Sequence, residues 1–131
     1  MAVPDDLAPG TTMTIERTFT RDDVARFADL SGDRGGHHLV ETADGSVFVH
    51  GLLTATIPTQ LGGELDYLAR EFRLEFPNPL LTGQPVTCVV TVESVEELDD
   101  RWSLGFSWAC TSDDGTVVLR GSSDGVVLKE R

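Results

Sequence analysis

The sequence is short of cysteine and of long apolar runs. Its two cysteines, Cys88 and Cys110, lie in alternating apolar segments, which favours buried free thiols over a disulfide, and no spacing is typical of a zinc site. The longest uncharged stretch, residues 45–63, is interrupted by histidine, threonine and proline and is a poor membrane span. No basic segment followed by an apolar run opens the sequence, so we predict no secretory signal and expect a cytoplasmic protein without membrane partners.

Positive charge is also scarce. The chain carries 10 Lys and Arg against 22 Asp and Glu, a formal net charge of -12. Because proteins that bind nucleic acid neutralise its phosphates with basic patches, this balance argues against nucleic acid as a partner.

The hydrophobic content is sufficient for one folded domain. Hydrophobic residues make up 40% of the 131 residues, which predicts a globular domain with its own core. Residues 1–10, MAVPDDLAPG, predict a flexible N-terminal arm, and residues 11–131 predict the domain.

The first third of the chain predicts a strand, a helix and a loop. Imperfect alternation predicts a strand over 12–19, and Thr20 with Asp23 resembles a capping box that begins a helix. Gly32 is expected to end this helix. Residues 33–49 have no clean period, and we expect an ordered loop with a short turn of helix near 40–43.

The segment 50–63 predicts the central element. Its apolar residues lie on all sides of a helical wheel, which indicates a buried helix, and Pro58 is expected to kink or shorten it. After Glu64 the period becomes two and predicts four strands, 67–76, 86–98, 101–111 and 116–128, the last three as a meander. A single sheet must bury its apolar face, so we predict an α+β fold in which a curved antiparallel sheet wraps one central helix.

Four motifs, in order, resemble one known family. They are FTRDDVARFADLSGD, a histidine five residues after its last aspartate, HG at the start of the buried helix, and FRLEFPNPLLTGQPV. With the predicted architecture they resemble the MaoC-like dehydratase family, in a pattern close to that of (R)-specific enoyl-CoA hydratases. The resemblance covers residues 14–128 and implies a single hot-dog domain and a hydro-lyase.

The resemblance also implies the site residues. The family's loop motif, Asp-x-Asn-Pro-x-His, matches Asp33 and His38 as the catalytic pair, and the spacing selects His38 over His37. The family's His-Gly pair matches His50 and Gly51, whose N–H would hold the thioester carbonyl. The residues expected in the acyl pocket are Leu52, Thr56 and Thr59.

These residue types suit the addition of water to a trans-2-enoyl thioester, or the reverse dehydration of an (R)-3-hydroxyacyl thioester. Asp33 and His38 could activate a shared water, because a carboxylate and an imidazole can supply the base and the acid. A free N–H at the helix start would stabilise charge on the thioester oxygen. The chemistry requires no metal and no cofactor besides the thioester substrate.

Two other functions stay open. The family's Asn-Pro is Gly35-Gly36 here, which would suit a non-catalytic acyl-thioester-binding or partner subunit. An acyl-CoA thioesterase on the same fold usually carries a carboxylate on the central helix, and residues 52–61 contain none.

The expected partners also follow from the resemblance. The substrate would be carried on coenzyme A or on an acyl carrier protein, and Arg34, Arg70 or Arg73 is predicted to contact the phosphates of coenzyme A. Hot-dog domains pair their sheets edge to edge, so a homodimer or a dimer of dimers is expected.

Overall fold

The computed structural model describes residues 7–129, and its elements follow the predicted order. The strands are β1 (Thr12–Thr18), β2 (Leu68–Glu75), β3 (Pro85–Glu97), β4 (Arg101–Ser112) and β5 (Val117–Leu128). The helices are α1 (Arg21–Ser31), α2 (Gly36–Leu39), α3 (Gly51–Thr54) and α4 (Thr56–Glu64). Among residues 7–129 there is no helix with the length and apolar character that crossing a membrane requires.

Helix α1 begins and ends as the sequence predicts. The Thr20 hydroxyl accepts a hydrogen bond from the Asp23 N–H at 3.1 Å, and the Asp23 carboxylate accepts one from the Thr20 N–H at 2.9 Å. Gly32 ends the helix in the left-handed conformation, with φ of 79°. Both parts of the capping-box prediction are confirmed, and the C-terminus of α1 is thereby placed just before Asp33.

The central element is two short helices rather than the single helix expected. Pro58 has no N–H, so it cannot donate to the carbonyl of Thr54, and α3 gives way to α4 at Ala55. The expectation of burial on all sides also needs correction, because the side chain of Leu52 is 60% exposed. Ile57 is fully buried against the sheet and anchors the element in the core.

The sheet has five strands in the order β1-β3-β4-β5-β2, and every neighbouring pair is antiparallel. The predicted meander of the last three strands is confirmed. Inward-facing side chains of β3 and β4 contribute to the core beneath the central helices. β1 and β2 are the two edges of the sheet, which leaves the outer side of β2 without a neighbouring strand in the described part of the chain.

Cys88 and Cys110 are opposite one another in the register of β3 and β4, and both are fully buried free thiols, as predicted. Their mutual hydrogen bond and their burial raise the pKa of the Cys110 thiol well above its usual range. Because both side chains are fully buried in the core, both cysteines serve as packing residues.

Two local expectations differ from the structure. The helical turn of the loop covers 36–39 rather than 40–43, because the Asp33 carboxylate accepts the Gly35 N–H at 3.2 Å and starts the turn earlier. The part of the predicted arm that the structure describes is packed: Leu7 is buried in the core, and the Gly10 N–H donates to the Val92 carbonyl at 2.8 Å. Residues 1–6 lie outside the described residues.

Candidate active site

A large cavity lies where α1, the 33–50 segment and α3 meet the connector after β2. Its volume is about 680 Å³. Its polar lining includes Asp33, His37, His38 and His50, and most of the remaining wall is apolar. The cavity thus brings together a carboxylate, three imidazoles and the start of a helix, although these residues are spread over two segments of the sequence.

Asp33 and His38 face each other in this cavity. His38 is only 6% exposed, and its Nδ1 donates to the Phe48 carbonyl at 2.7 Å. Since a carbonyl can only accept, the neutral ring carries its proton on Nδ1 and has a lone pair on Nε2. That Nε2 lies 3.7 Å from Oδ2 of Asp33, whose side chain is 55% exposed. The separation is longer than a direct hydrogen bond, so the geometry suits a water or substrate oxygen shared by the two groups.

His50 links the loop that carries Asp33 to the start of the central helix through a hydrogen bond. It is 2% exposed, and its Nε2 donates to the backbone carbonyl of Asp33 at 2.9 Å. Its ring stacks on His38 with centroids 3.7 Å apart and meets the edge of Phe27 at 4.8 Å. The bond and the stacking place Asp33 and His38 relative to the start of α3, which makes His50 a positioning residue.

Gly51 occupies the first position of α3, where the N–H has no acceptor within the helix. A Cβ at this residue would lie 2.7 Å from the ring of Phe76, a contact that side chains do not make. Any larger residue at position 51 would therefore require the half-exposed Phe76 ring to move. The same close packing keeps the free N–H beside the cavity that Asp33 and His38 line.

The residues predicted for the acyl pocket lie in different places. Leu52 lines the large cavity beside Gly51, whereas neither Thr56 nor Thr59 does. Thr56 donates to the Leu53 carbonyl at 2.6 Å, and Thr59 lines a second, mostly apolar cavity of about 250 Å³. The structure thus brings Leu52 to Asp33 and His38 and places the two threonines elsewhere.

Several residues that line the cavity were missed by sequence reasoning. Phe76 and Asn78 enter from the connector after β2, and His37 enters from α2. The FPNP run and the histidine doublet were visible in the sequence. Neither run shows an apolar period or a catalytic spacing, and only the fold places them at the site.

Asp33, His38 and His50 also form a group that could offer ligands to a metal, with one ligand atom from each within 4.8 Å of the others. A metal must lie close to the plane of each imidazole that binds it, because the nitrogen lone pair is in that plane. The rings of His38 and His50 are stacked at 16°, so their planes run nearly parallel and do not meet at one ion. The arrangement therefore does not suit a shared metal.

The arginines predicted to contact phosphate are on the surface. Arg34 forms an ion pair with Asp29 at 2.5 Å, and Arg73 forms one with Glu71 at 3.2 Å. No arginine or lysine of residues 7–129 lines the large cavity itself. A contact of Arg34, Arg70 or Arg73 with coenzyme A stays a prediction.

Comparison with known proteins finds relatives that cover nearly the whole chain. No known family profile matches the chain. The 3-hydroxybutyryl-CoA dehydratase of Methylorubrum extorquens is 32% identical over 130 residues, covering 91% of this chain and 80% of that protein. The (R)-specific enoyl-CoA hydratase of Rhodospirillum rubrum is 29% identical over 129 residues, covering 91% and 87%. The solved structure of the (R)-hydratase of A. caviae involved in PHA biosynthesis matches with a TM-score of 0.81 at 27% identity, over 96% of this chain and 100% of that one.

These similarities define the class of protein. The structural match confirms the predicted hot-dog fold. The identity to the dehydratase extends over nearly the whole chain. The chain belongs to the MaoC-like dehydratase family, and the names of its relatives, a dehydratase and a hydratase, indicate a hydro-lyase.

Proposed function

We propose that the protein catalyses the reversible hydration of trans-2-enoyl-CoA to (R)-3-hydroxyacyl-CoA. The observation that carries this proposal is the approach of His38 Nε2 to the Asp33 carboxylate at 3.7 Å inside the large cavity. The names of the two similar proteins, a 3-hydroxybutyryl-CoA dehydratase and an (R)-specific enoyl-CoA hydratase, support the choice of substrate and carrier.

In the hydration direction, a water held by Asp33 and His38 gives one proton to this pair as its oxygen bonds to C3 of the enoyl group. The pair returns a proton to C2, so that the elements of one water are added overall. An exposed carboxylate and a buried imidazole with a free Nε2 supply the two proton-transfer groups. The dehydration is the same sequence in reverse, and no cofactor enters it.

The thioester carbonyl is proposed to accept a hydrogen bond from the Gly51 N–H. Negative charge develops on that oxygen as the water adds, and a donor already in place stabilises it without reorganisation. The acyl group would then lie along the apolar wall of the cavity, which Leu52 and Phe76 help to form.

The test is hydration of crotonyl-CoA, followed as loss of enoyl absorbance, by the wild type, Asp33→Asn and His38→Gln. General acid–base catalysis contributes on the order of 100- to 10,000-fold, so each variant should lose at least about 100-fold in kcat. Circular dichroism provides the control that both variants fold. Release of free thiol from acyl-CoA would indicate the thioesterase instead. Binding without turnover, on crotonyl-CoA and on a longer enoyl-CoA, would indicate the non-catalytic subunit and overturn the proposal.

We also propose a homodimer formed through the free edge of β2. Three apolar side chains at this strand or just beyond it are exposed: Leu68 by 53%, Phe72 by 45% and Phe76 by 47%. Pairing of this edge with a second copy would cover them.

Phe72→Lys should shift the protein to a monomer in size-exclusion chromatography with light scattering. Val89→Lys is the matched control, because Val89 is 39% exposed on an inner strand. A wild-type monomer, or a Phe72→Lys dimer, would contradict the proposed edge.

A further inference from the structure

The ring of His38 is flanked by two other imidazoles. His50 stacks on it with centroids 3.7 Å apart, and His37 packs against it with centroids 3.8 Å apart and planes inclined at 48°. The rings of His37 and His50 cannot both pack on the same face of the His38 imidazole at these distances, so the His38 ring lies between them. His50 approaches from the buried side, whereas His37 is exposed and lines the cavity. The reaction described above makes no use of His37.

Gly35 provides the space that His37 occupies. A Cβ on Gly35 would lie 2.9 Å from Cε1 and 3.2 Å from Nδ1 of His37, and 3.4 Å from Oδ1 of Asp33. The backbone of Gly35, with φ of -54° and ψ of 143°, is open to residues other than glycine. Packing rather than conformation therefore favours glycine here, because a side chain at residue 35 would displace the exposed His37 ring.

Hydrogen bonds to Phe48 also hold the backbone segment that carries His37 and His38. The Phe48 N–H donates to the His37 carbonyl at 3.2 Å, and the Phe48 carbonyl accepts from His38 Nδ1 at 2.7 Å. Phe48 forms a β-bridge with Leu81, next to the sheet. His37 and His38 thus project from a segment anchored by hydrogen bonds to Phe48, and the exposed ring of His37 lies against His38 and beside Gly35.

We propose that His37 is a positioning residue of this active site. Its ring, seated against Gly35, holds the His38 imidazole from the cavity side, as His50 holds it from the buried side, so that Nε2 stays directed at Asp33. Proton transfer needs this alignment, since small misplacements of a catalytic group are costly in rate. Gly35 and His37 act as one packing unit where the family pattern has Asn-Pro and a variable residue. The proposal rests on the proposed hydratase function.

The test combines four variants: His37→Ala, His37→Phe, Gly35→Ala and the double variant Gly35→Ala with His37→Ala. Loss of the ring should lower kcat for crotonyl-CoA by about tenfold and change KM by less than about twofold, because alignment rather than binding is lost. His37→Phe keeps a flat ring and should stay within about threefold of the wild type. Gly35→Ala should reproduce His37→Ala, and the double variant should be no worse than either single one, since both remove the same contact.

Gly36→Ala is the matched control, because a Cβ at Gly36 would meet nothing within 4 Å, and it should leave kcat unchanged. An unchanged kcat in His37→Ala, or additive losses in the double variant, would overturn the proposal. NMR of the His38 ring gives a readout that does not depend on turnover: exchange broadening should appear in His37→Ala and not in His37→Phe. If the wild type fails to hydrate any enoyl-CoA, the proposed function fails, while an unchanged His38 spectrum in His37→Ala would refute the positioning role by itself.

Discussion

The two ends of the central helical element each carry a glycine, but the space around the two glycines differs. At the start of α3, the ring of Phe76 lies where a Cβ of Gly51 would be, and the cavity beside it contains Asp33 and His38. Near the end of α4, a Cβ on Gly62 would make only an ordinary contact of 3.4 Å with Tyr67, and the second cavity there is mostly apolar. No described residue lines both cavities. An added Cβ would have to displace a ring that lines the large cavity at Gly51, whereas it would fit without displacement at Gly62.

The largest effect that separates the two ends is expected from Gly51→Ala. The added methyl group would force the Phe76 ring from its place and move the N–H proposed to hold the thioester. Removal of one such donor costs on the order of 100-fold in kcat, and we expect a loss of about that size for crotonyl-CoA. Steady-state kinetics measures it.

The double variant Gly51→Ala with Phe76→Ala separates packing from chemistry. If the loss comes from displacement of the ring alone, removal of the ring should restore much of the lost stability and activity. A Gly51→Ala protein with wild-type kcat would show that the position is not involved in the reaction.

His50→Ala should produce the next largest effect, this time on stability as well as on rate. It removes a buried ring and leaves the Asp33 carbonyl without its donor, which together should cost on the order of 2–4 kcal/mol of the free energy of unfolding. Urea denaturation measures this cost. His50→Gln can retain a donor toward that carbonyl and should lose less; equal losses in the two variants would contradict the role of the hydrogen bond.

The smallest effect is expected from Gly62→Ala. Alanine has the higher helix propensity, and its Cβ fits beside Tyr67, so the protein should gain about 0.5 kcal/mol in stability. The kcat for crotonyl-CoA should stay within about twofold of the wild type, because the second cavity is separate from the large one. Thermal unfolding measures the change in stability, and the crotonyl-CoA assay measures kcat. A large loss of activity would show that the two ends of the element are coupled.

The sequence by itself determined the order of the elements, the capping box of α1, the meander and the family. These features depend on local periodicity and on a few short motifs, which act over neighbouring residues. The spacing of Asp33 and His38, and the His-Gly pair that follows, were likewise readable without a structure. A disturbance of this helix by Pro58 was expected as well, since the missing N–H is a local property, but the division into two helices at Ala55 was not.

Only the tertiary structure decided which other residues reach the site. His37 and Gly35 are close in sequence, yet their shared packing depends on Phe48, which positions the loop through the bridge to Leu81. Phe76 reaches Gly51 from the far end of β2, and Thr59 lines the second cavity rather than the large one. Such contacts join segments distant along the chain, and they are set by how the helices pack on the sheet, which no local pattern records.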